Sequence, residues 1–317
     1  MRAGLLVNPR AGKSSGKGLA LVDKLRSDKT ISVKVLERFE QLPRFLDDLA
    51  SEGVTDLFIS SGDGTIHAVQ TELAERRPFA VLPRLSLLSH GTTNLTAADL
   101  GFRQRNIQAQ ADFIKALRPA DLRRRPTLRA ANPGDGKPRH GMILGVGAVA
   151  EATYFCQQAY NVKGLKGNSA ILATLAGAVA KALFTTPRAG DTTRFDRPYE
   201  ISVEADGRPV ATGQQLFYFS TTLEKLALGT RPFWGGKTGV IRSTIIAYPP
   251  PSIARWLLPV MYGSETRKSP ANAISFCSAN LAVRTSARIV IDGEFFDAPA
   301  TEALRVETGP VFTYICG

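Results

Sequence analysis

The chain has 317 residues, 44% of them apolar, which is enough for two domains with separate cores and excludes a disordered polymer. With 40 Lys and Arg against 28 Asp and Glu, the formal charge is +12, which favours anionic partners such as a nucleotide, an acidic membrane surface or a nucleic acid. No nucleic-acid partner is expected, because zinc-finger spacing, an RRM-type aromatic motif and a long basic helix are all missing.

The N-terminus enters at once into a strand over 3–7, AGLLV, too short for a signal-peptide core, so export is not expected. Patterning then predicts a helix over 16–26, a strand over 31–36, a helix over 43–51 and a strand over 57–59. A helix from about Ile66 to Arg76 and a strand over 79–82 follow. This alternation implies right-handed βαβ units and a mostly parallel, helix-covered sheet. In such sheets ligands sit beyond the carboxyl ends of the strands, where Asn8 and 61–65 fall.

Between 118 and 141 the texture turns to Pro, Gly and Arg, which marks a domain boundary with a strand starting near Leu128. The Arg123–Arg125 run reads as a solvated basic linker, and His140 within it suggests no role. Runs at 200–204, 215–220, 240–247, 282–284 and 288–291 predict antiparallel strands. The expected division is an α/β domain over 1–125 and a mainly β domain over 126–302. The strands over 303–307 and 311–315 are expected to return to the first.

Two apolar stretches bear on membranes. SAILATLAGAVAKALF, 169–184, carries Lys181 and falls short of the roughly 20 apolar residues of a spanning helix, so a buried helix is expected. IARWLLPVMY, 253–262, sets Trp and Tyr beside a cation, which suits a membrane interface and a core edge equally. Cys156, Cys277 and Cys316 are odd in number and far apart, and read as reduced thiols of a cytosolic protein.

Four short segments carry chemistry. SSGDGT, 60–65, ends a strand and precedes a helix; Gly62 and Gly64 free the backbone to turn, and the helix start offers amide donors to an anion. Asp63 would repel that anion unless it works through Mg2+, orients water or accepts a proton; as helix cap or turn former it is equally well explained. NPRAGK, 8–13, supplies Asn8, Arg10 and Lys13, with Lys17 beyond. Gly12-Lys13-Ser14 matches the end of a Walker loop, but Val7 stands where its first glycine belongs. GTTN, 91–94, supplies Gly91, Thr92 and Asn94 as anion donors or a helix cap. VIDGE, 290–294, would put Asp292 and Glu294 on one strand face, or else form an Asp-Gly hairpin turn. His67 and His90 beside these motifs read as packed or capping residues rather than proton shuttles.

In this order, NPRAGK, SSGDGT, HGTTN and VIDGE resemble the diacylglycerol, sphingosine and ceramide lipid kinase superfamily, the diacylglycerol kinase catalytic domain family. The resemblance implies a doubly wound α/β domain that binds nucleotide, followed by an antiparallel β-sandwich domain that binds lipid, with a cleft between them where ATP and Mg2+ meet a lipid hydroxyl. It gives Asn8, Arg10, Lys13, Ser61, Gly62, Gly64, Thr65, Gly91, Thr92 and Asn94 to the nucleotide. Asp63 becomes the base, with Asp292 and Glu294 as rivals. Ser61 replaces the first glycine of the family's GGDGT, a form seen in the sphingosine-kinase branch, and Ser89-His90 replaces the usual approach to GTxN. GGKTGVI, 235–241, lacks the Asp-Asp-Gly carboxylates of many bacterial relatives, so no accessory metal site is expected and no metal ligand is assigned. A lipid substrate, an anionic membrane surface and a peripheral cytoplasmic enzyme are implied; the sequence carries no sign of an oligomeric state. The acceptor stays open among ceramide, a sphingoid base and diacylglycerol. An NAD-kinase-like or phosphofructokinase-like enzyme and an inactive nucleotide-binding membrane adaptor are the alternatives.

Overall fold

The protein is described by a computed structural model covering residues 1–10, 15–90, 96–116, 121–163, 196–226, 229–236, 238–250, 258–264 and 270–317, with Gly177 and Arg194 in addition. The 169–184 stretch (Gly177 apart), the 253–257 part of the second apolar run, Lys13 and 91–94 lie outside the described residues. The chain divides into two compact units, Met1–Thr127 with Gly309–Gly317, and Leu128–Thr308.

In the first unit the elements run β1 (Ala3–Val7), α1 (Ser15–Leu25), β2 (Ser32–Val35), α2 (Leu42–Ser51), β3 (Asp56–Ser61), α3 (Asp63–Glu75), β4 (Arg84–Ser89), α4 (Ala97–Leu100) and α5 (Ile107–Ala116). The strands are parallel in the order β2-β1-β3-β4. From β1 the chain goes to β2 on one side and then crosses to β3 on the other, so the winding direction reverses between β1 and β3. All residues of β1 and β3 are buried, as strands covered by helices on both faces require. Leu5, Val7 and Phe58 pack with Leu21, Val22 and Leu25 of α1 and Ala111 and Ile114 of α5. On the opposite pleat, an atom at the Cβ position of Gly4 would lie 2.9 Å from Leu49 of α2.

Three local expectations need correction. The 79–82 run is no strand: Pro78 and Pro83 bracket it, Val81 is exposed, and β4 forms from the following RLSLLS. Helix α3 begins at Asp63 rather than near Ile66, directly after an extended Gly62 (φ −98°, ψ 177°). Arg123–Arg125 is not a solvated linker but part of β5 (Leu122–Ala130), and Arg123 and Arg125, on one face of it, reach the buried Asp99 carboxylate at 3.2 and 3.4 Å.

The second unit holds β6 (Arg139–Gly141), β7 (Ile143–Gly147), α6 (Ala148–Lys163), β8 (Tyr199–Ala205), β9 (Arg208–Ala211), β10 (Gln214–Thr221), β11 (Ile241–Ala247), β12 (Ala273–Ser278), β13 (Asn280–Thr285), β14 (Ile289–Ile291) and β15 (Glu294–Phe296). Pairing here is antiparallel: β15-β14-β7-β10-β11-β12 form one run, and β9-β8-β13 continue to the first residues of β16 (Leu304–Ile315). One buried core takes Leu144, Val146 and Tyr218 from the first run and Val203, Leu281 and Val306 from the second. His140, on β6, is buried rather than lying in a linker.

β16 is one continuous strand where two were expected. Its last residues complete the first unit. Tyr314 pairs with Leu85 of β4 and accepts a hydrogen bond from Gln70 of α3 at 2.8 Å, and Ile315 enters the core.

Candidate active site

The reversal of winding leaves a crevice position at the carboxyl ends of β1 and β3, where neither crossover covers the edge. β1 delivers Asn8 there and β3 delivers Ser61-Gly62-Asp63. The Asn8 backbone amide donates to the Ser60 carbonyl at 3.1 Å, its side-chain Nδ2 donates to Thr65 Oγ1 at 2.9 Å, and its Oδ1 accepts the Arg10 amide at 3.0 Å. Asn8 thus joins the end of one strand to the first turn of the helix after its neighbour. Pro9 leaves the turn no competing amide.

Neither Gly62 nor Gly64 has a positive φ, so freedom to turn is not what glycine provides here. Strand β3 runs straight into α3, and Gly62 as N-cap has no side chain over the helix start. The amides of Asp63, Gly64 and Thr65 are the ones an α-helix leaves without intrahelical partners, and the positive dipole end lies among them. Asp63 is half-buried at the first helical position. Ser61 is buried, and its Oγ has no hydrogen-bond partner among the described residues.

Sequence reasoning passed over two residues at this edge. Gly18 of α1 lies so close that a Cβ there would fall 2.6 Å from Ser60 Oγ and 2.8 Å from Val7 Cγ1, so only glycine lets the helix start approach both strand ends. Ser60 Oγ in turn bonds His90 Nδ1 at 2.8 Å. His90 is buried, and desolvation with the nearby charge of Lys17 pushes its imidazole down to about 4, against a hydrogen bond to Gln110. That last bond is poorly aligned, since neither His90 Nε2 nor Gln110 Oε1 meets full hydrogen-bond geometry with a described residue. The ring is therefore neutral near pH 7. Small residues around a strand end were the available signal for Gly18; nothing in sequence spacing pairs positions 60 and 90.

The first unit thus gathers Asn8, Arg10, Ser61, Gly62, Asp63, Gly64 and Thr65 at one edge. Asp292 and Glu294 belong to the second unit, and their geometry differs from two carboxylates on one strand face. Asp292 (φ 47°) and Gly293 (φ 91°) form the two-residue turn between β14 and β15, a type I′ pattern. Asp292 is buried, and its two oxygens accept the Met142 and Ile143 amides, each at 2.9 Å. Glu294 is exposed on β15. At Gly141 a Cβ would fall 2.2 Å from Ile291 Cγ2 and 2.7 Å from Asp292 Oδ2, so the buried carboxylate requires glycine beside it.

Comparison with known proteins gives an independent view. Residues 2–124, which contain this edge, match the diacylglycerol kinase catalytic domain. That segment belongs to the diacylglycerol kinase catalytic domain family. Three solved structures from Bacillus anthracis str. Sterne, one described as a diacylglycerol kinase and two as candidate diacylglycerol kinases, are similar over 100% of this chain and 97% of theirs. Their TM-scores are 0.63, 0.66 and 0.64 at 15%, 15% and 16% identity, a likeness of fold. Parallel strands before antiparallel ones are thus shared with these diacylglycerol-kinase-like structures. No sequence match is found among curated proteins.

Proposed function

We propose that the chain is an ATP-dependent lipid kinase that transfers the γ-phosphate of ATP to the primary hydroxyl of a membrane lipid. The single observation that carries this reading is the hydrogen bond from Asn8 to Thr65. It brings β1 to the first turn of α3, where the positive end of the helix dipole lies beside the Asp63 carboxylate. An anion site with one carboxylate in it suits phosphoryl transfer, where charge must be neutralised and a proton removed. The family of residues 2–124 supports the same class of reaction.

In this reading Asn8, Arg10, Lys13, Ser61, Gly62, Gly64, Thr65, Gly91, Thr92 and Asn94 hold the nucleotide, and Mg2+ arrives with ATP as part of the substrate. The lipid oxygen attacks the γ-phosphorus, the bond to the β-phosphate oxygen breaks, Asp63 takes the hydroxyl proton, and ADP leaves. Asp292, with both oxygens engaged by backbone amides, is assigned to holding its hairpin. Glu294 is the rival base. Diacylglycerol is the first acceptor to test, ceramide and a sphingoid base the others. The second unit, with the sandwich architecture the resemblance implies, would hold the acyl chains.

No helix among the described residues is long and apolar enough to cross a membrane. A peripheral enzyme docking on anionic bilayers is supported by the +12 charge and by the exposed Leu258 and Tyr262 beside Arg231. The test is incubation with labelled ATP, Mg2+ and vesicles carrying diacylglycerol, ceramide or sphingosine in turn. One phosphorylated lipid is expected, and turnover of none of them overturns the reading. Vesicle binding that ignores added salt overturns the electrostatic docking.

A further inference from the structure

On β7 a Cβ at Gly145 would fall 2.4 Å from Val149 Cγ1, so glycine there lets α6 lie close on this face of the sheet. Gly145 pairs with Val290 of β14 and Val290 with Phe295 of β15, which puts Phe295 on the same face, and strand alternation adds Arg288. Helix α6 brings Tyr154 to them. The Arg288 guanidinium carbon lies 5.0 Å from the centroid of the Tyr154 ring and 5.6 Å from that of Phe295, and the two rings meet edge to face at 6.0 Å. The cation thus sits in a notch with aromatic walls, and it stays open to water: Arg288 is exposed and Tyr154 keeps 37% of its surface. No carboxylate among the described residues pairs with Arg288. Glu151, one turn before Tyr154, is turned to Arg197 at 3.5 Å, and Glu294 lies on the opposite side of β15 from Phe295.

In water this arrangement gains little. Cation–π contacts are weak while solvated and strengthen when water is removed, and the guanidinium keeps donors that match phosphate oxygens. At a bilayer surface both change together, because aromatic rings settle in the interfacial layer just below the phosphates. The geometry points to the Tyr154–Arg288–Phe295 cluster as a docking surface for an anionic bilayer, with Arg288 on a headgroup phosphate and the two rings in the interfacial layer. This rests on the reading of the chain as a kinase of membrane lipids, and it gives the docking a contact besides Leu258 and Tyr262. Gln157, the next exposed residue of α6 after Tyr154, donates to the Gly293 carbonyl at 2.7 Å. The helix is thereby tied to the hairpin that carries Glu294, and a bilayer met by the cluster lies beside that hairpin.

The test is sedimentation of the full chain with phosphatidylcholine vesicles, with and without phosphatidylglycerol. It compares wild type with Arg288→Gln, Tyr154→Ala, Phe295→Ala, the Arg288→Gln/Tyr154→Ala pair and Arg284→Gln. Arg284, exposed on β13 with no aromatic partner, is the control for net charge. Each single change in the cluster is expected to weaken binding to the anionic vesicles about 5-fold, and Arg284→Gln less than about 2-fold. The pair should lose about 5- to 10-fold rather than about 25-fold, since its members share one contact. In Tyr154→Trp, brominated lipid is expected to quench the added emission. Unchanged binding in Arg288→Gln, an equal loss in Arg284→Gln, fully multiplicative losses in the pair or no added quenching each overturns the inference. So does a dimer that Tyr154→Ala dissolves while vesicle binding stays unchanged, since the cluster then seats a second copy of the chain. If Tyr154→Ala does not fold, Arg288→Gln and Tyr154→Trp decide the matter on the same criteria. A wild-type chain that binds vesicles through this cluster but phosphorylates no lipid overturns the kinase reading and leaves the docking surface standing.

Discussion

Asn8 Nδ2 lies 2.9 Å from Thr65 Oγ1, across 57 positions of sequence, and this one bond holds the end of β1 against the first turn of α3. Asn8→Ala and Thr65→Val remove it from opposite sides. Each is expected to raise the Kd for Mg2+–ATP about 10-fold, while Thr65→Ser stays near wild type. Calorimetric titration checks all three, and equal affinities across the set would show that the bond has no part in nucleotide binding.

Asp63 is predicted to act on the proton rather than on the nucleotide. Asp63→Asn keeps the size and the helix-start position but cannot accept a proton. Turnover should fall about 10³-fold with ATP affinity retained. Stopped labelled-ATP assays on vesicles measure this, with Glu294→Gln alongside; a collapse in the latter and near-normal rates in the former would exchange their roles.

At Gly18 two effects oppose each other. Alanine gains about 1 kcal/mol of helix propensity over glycine. Its Cβ would meet Ser60 Oγ at 2.6 Å and Val7 Cγ1 at 2.8 Å, and the Ser60 hydroxyl is already committed to His90. Overpacking of this kind costs about 1–3 kcal/mol, so Gly18→Ala should be net destabilising by urea denaturation. A gain in stability would mean that α1 shifts freely.

Asp292→Ala leaves the Met142 and Ile143 amides buried without their acceptors, and a loss of about 2–5 kcal/mol is expected. Gly141→Ala pushes on the same carboxylate and should also destabilise. Because the effect lies in the fold, residual folded Asp292→Asn should keep measurable turnover. An inactive but fully stable Asp292→Asn would instead identify a catalytic carboxylate.

The depressed His90 basicity links stability to pH. The folded chain resists protonating a ring that the unfolded chain protonates below its ordinary value of 6.5. Stability from this residue is complete above that value and is lost as pH falls towards about 4, by ~3 kcal/mol in total. Denaturation midpoints between pH 7 and 4.5 should therefore fall less steeply in His90→Asn than in wild type. Parallel slopes would exclude the ring as the source.

The parallel half was legible because β1 and, after its first residue Asp56, β3 are apolar or small, and the helices between them repeat at helical spacing. Pro83 hid β4, since a run ending before a proline looked more strand-like than RLSLLS after it. In Arg123–Arg125, alternation of charged residues in a strand was unreadable without Asp99, the buried carboxylate they neutralise. At VIDGE, sequence left a shared strand face and a hairpin open, and the backbone at Asp292 favours the turn. Asn8 and the Ser61–Thr65 group stood out because small polar residues end apolar strands. Their mutual bonds, and that of Ser60 with His90, depend on strand order, which spacing does not encode.

Tyr314 of β16 pairs with Leu85 of β4, so the parallel set β1 to β4, which lies within the first 90 residues, gains its next strand only with β16. A ribosome making about 5–20 residues per second would expose β1 to β4 many seconds before their last neighbour exists. During that interval Leu85 lacks its partner strand and Gln70 lacks the Tyr314 hydroxyl. A fragment ending at Thr127 would lack β16 and expose the bare edge of β4, which is prone to aggregation.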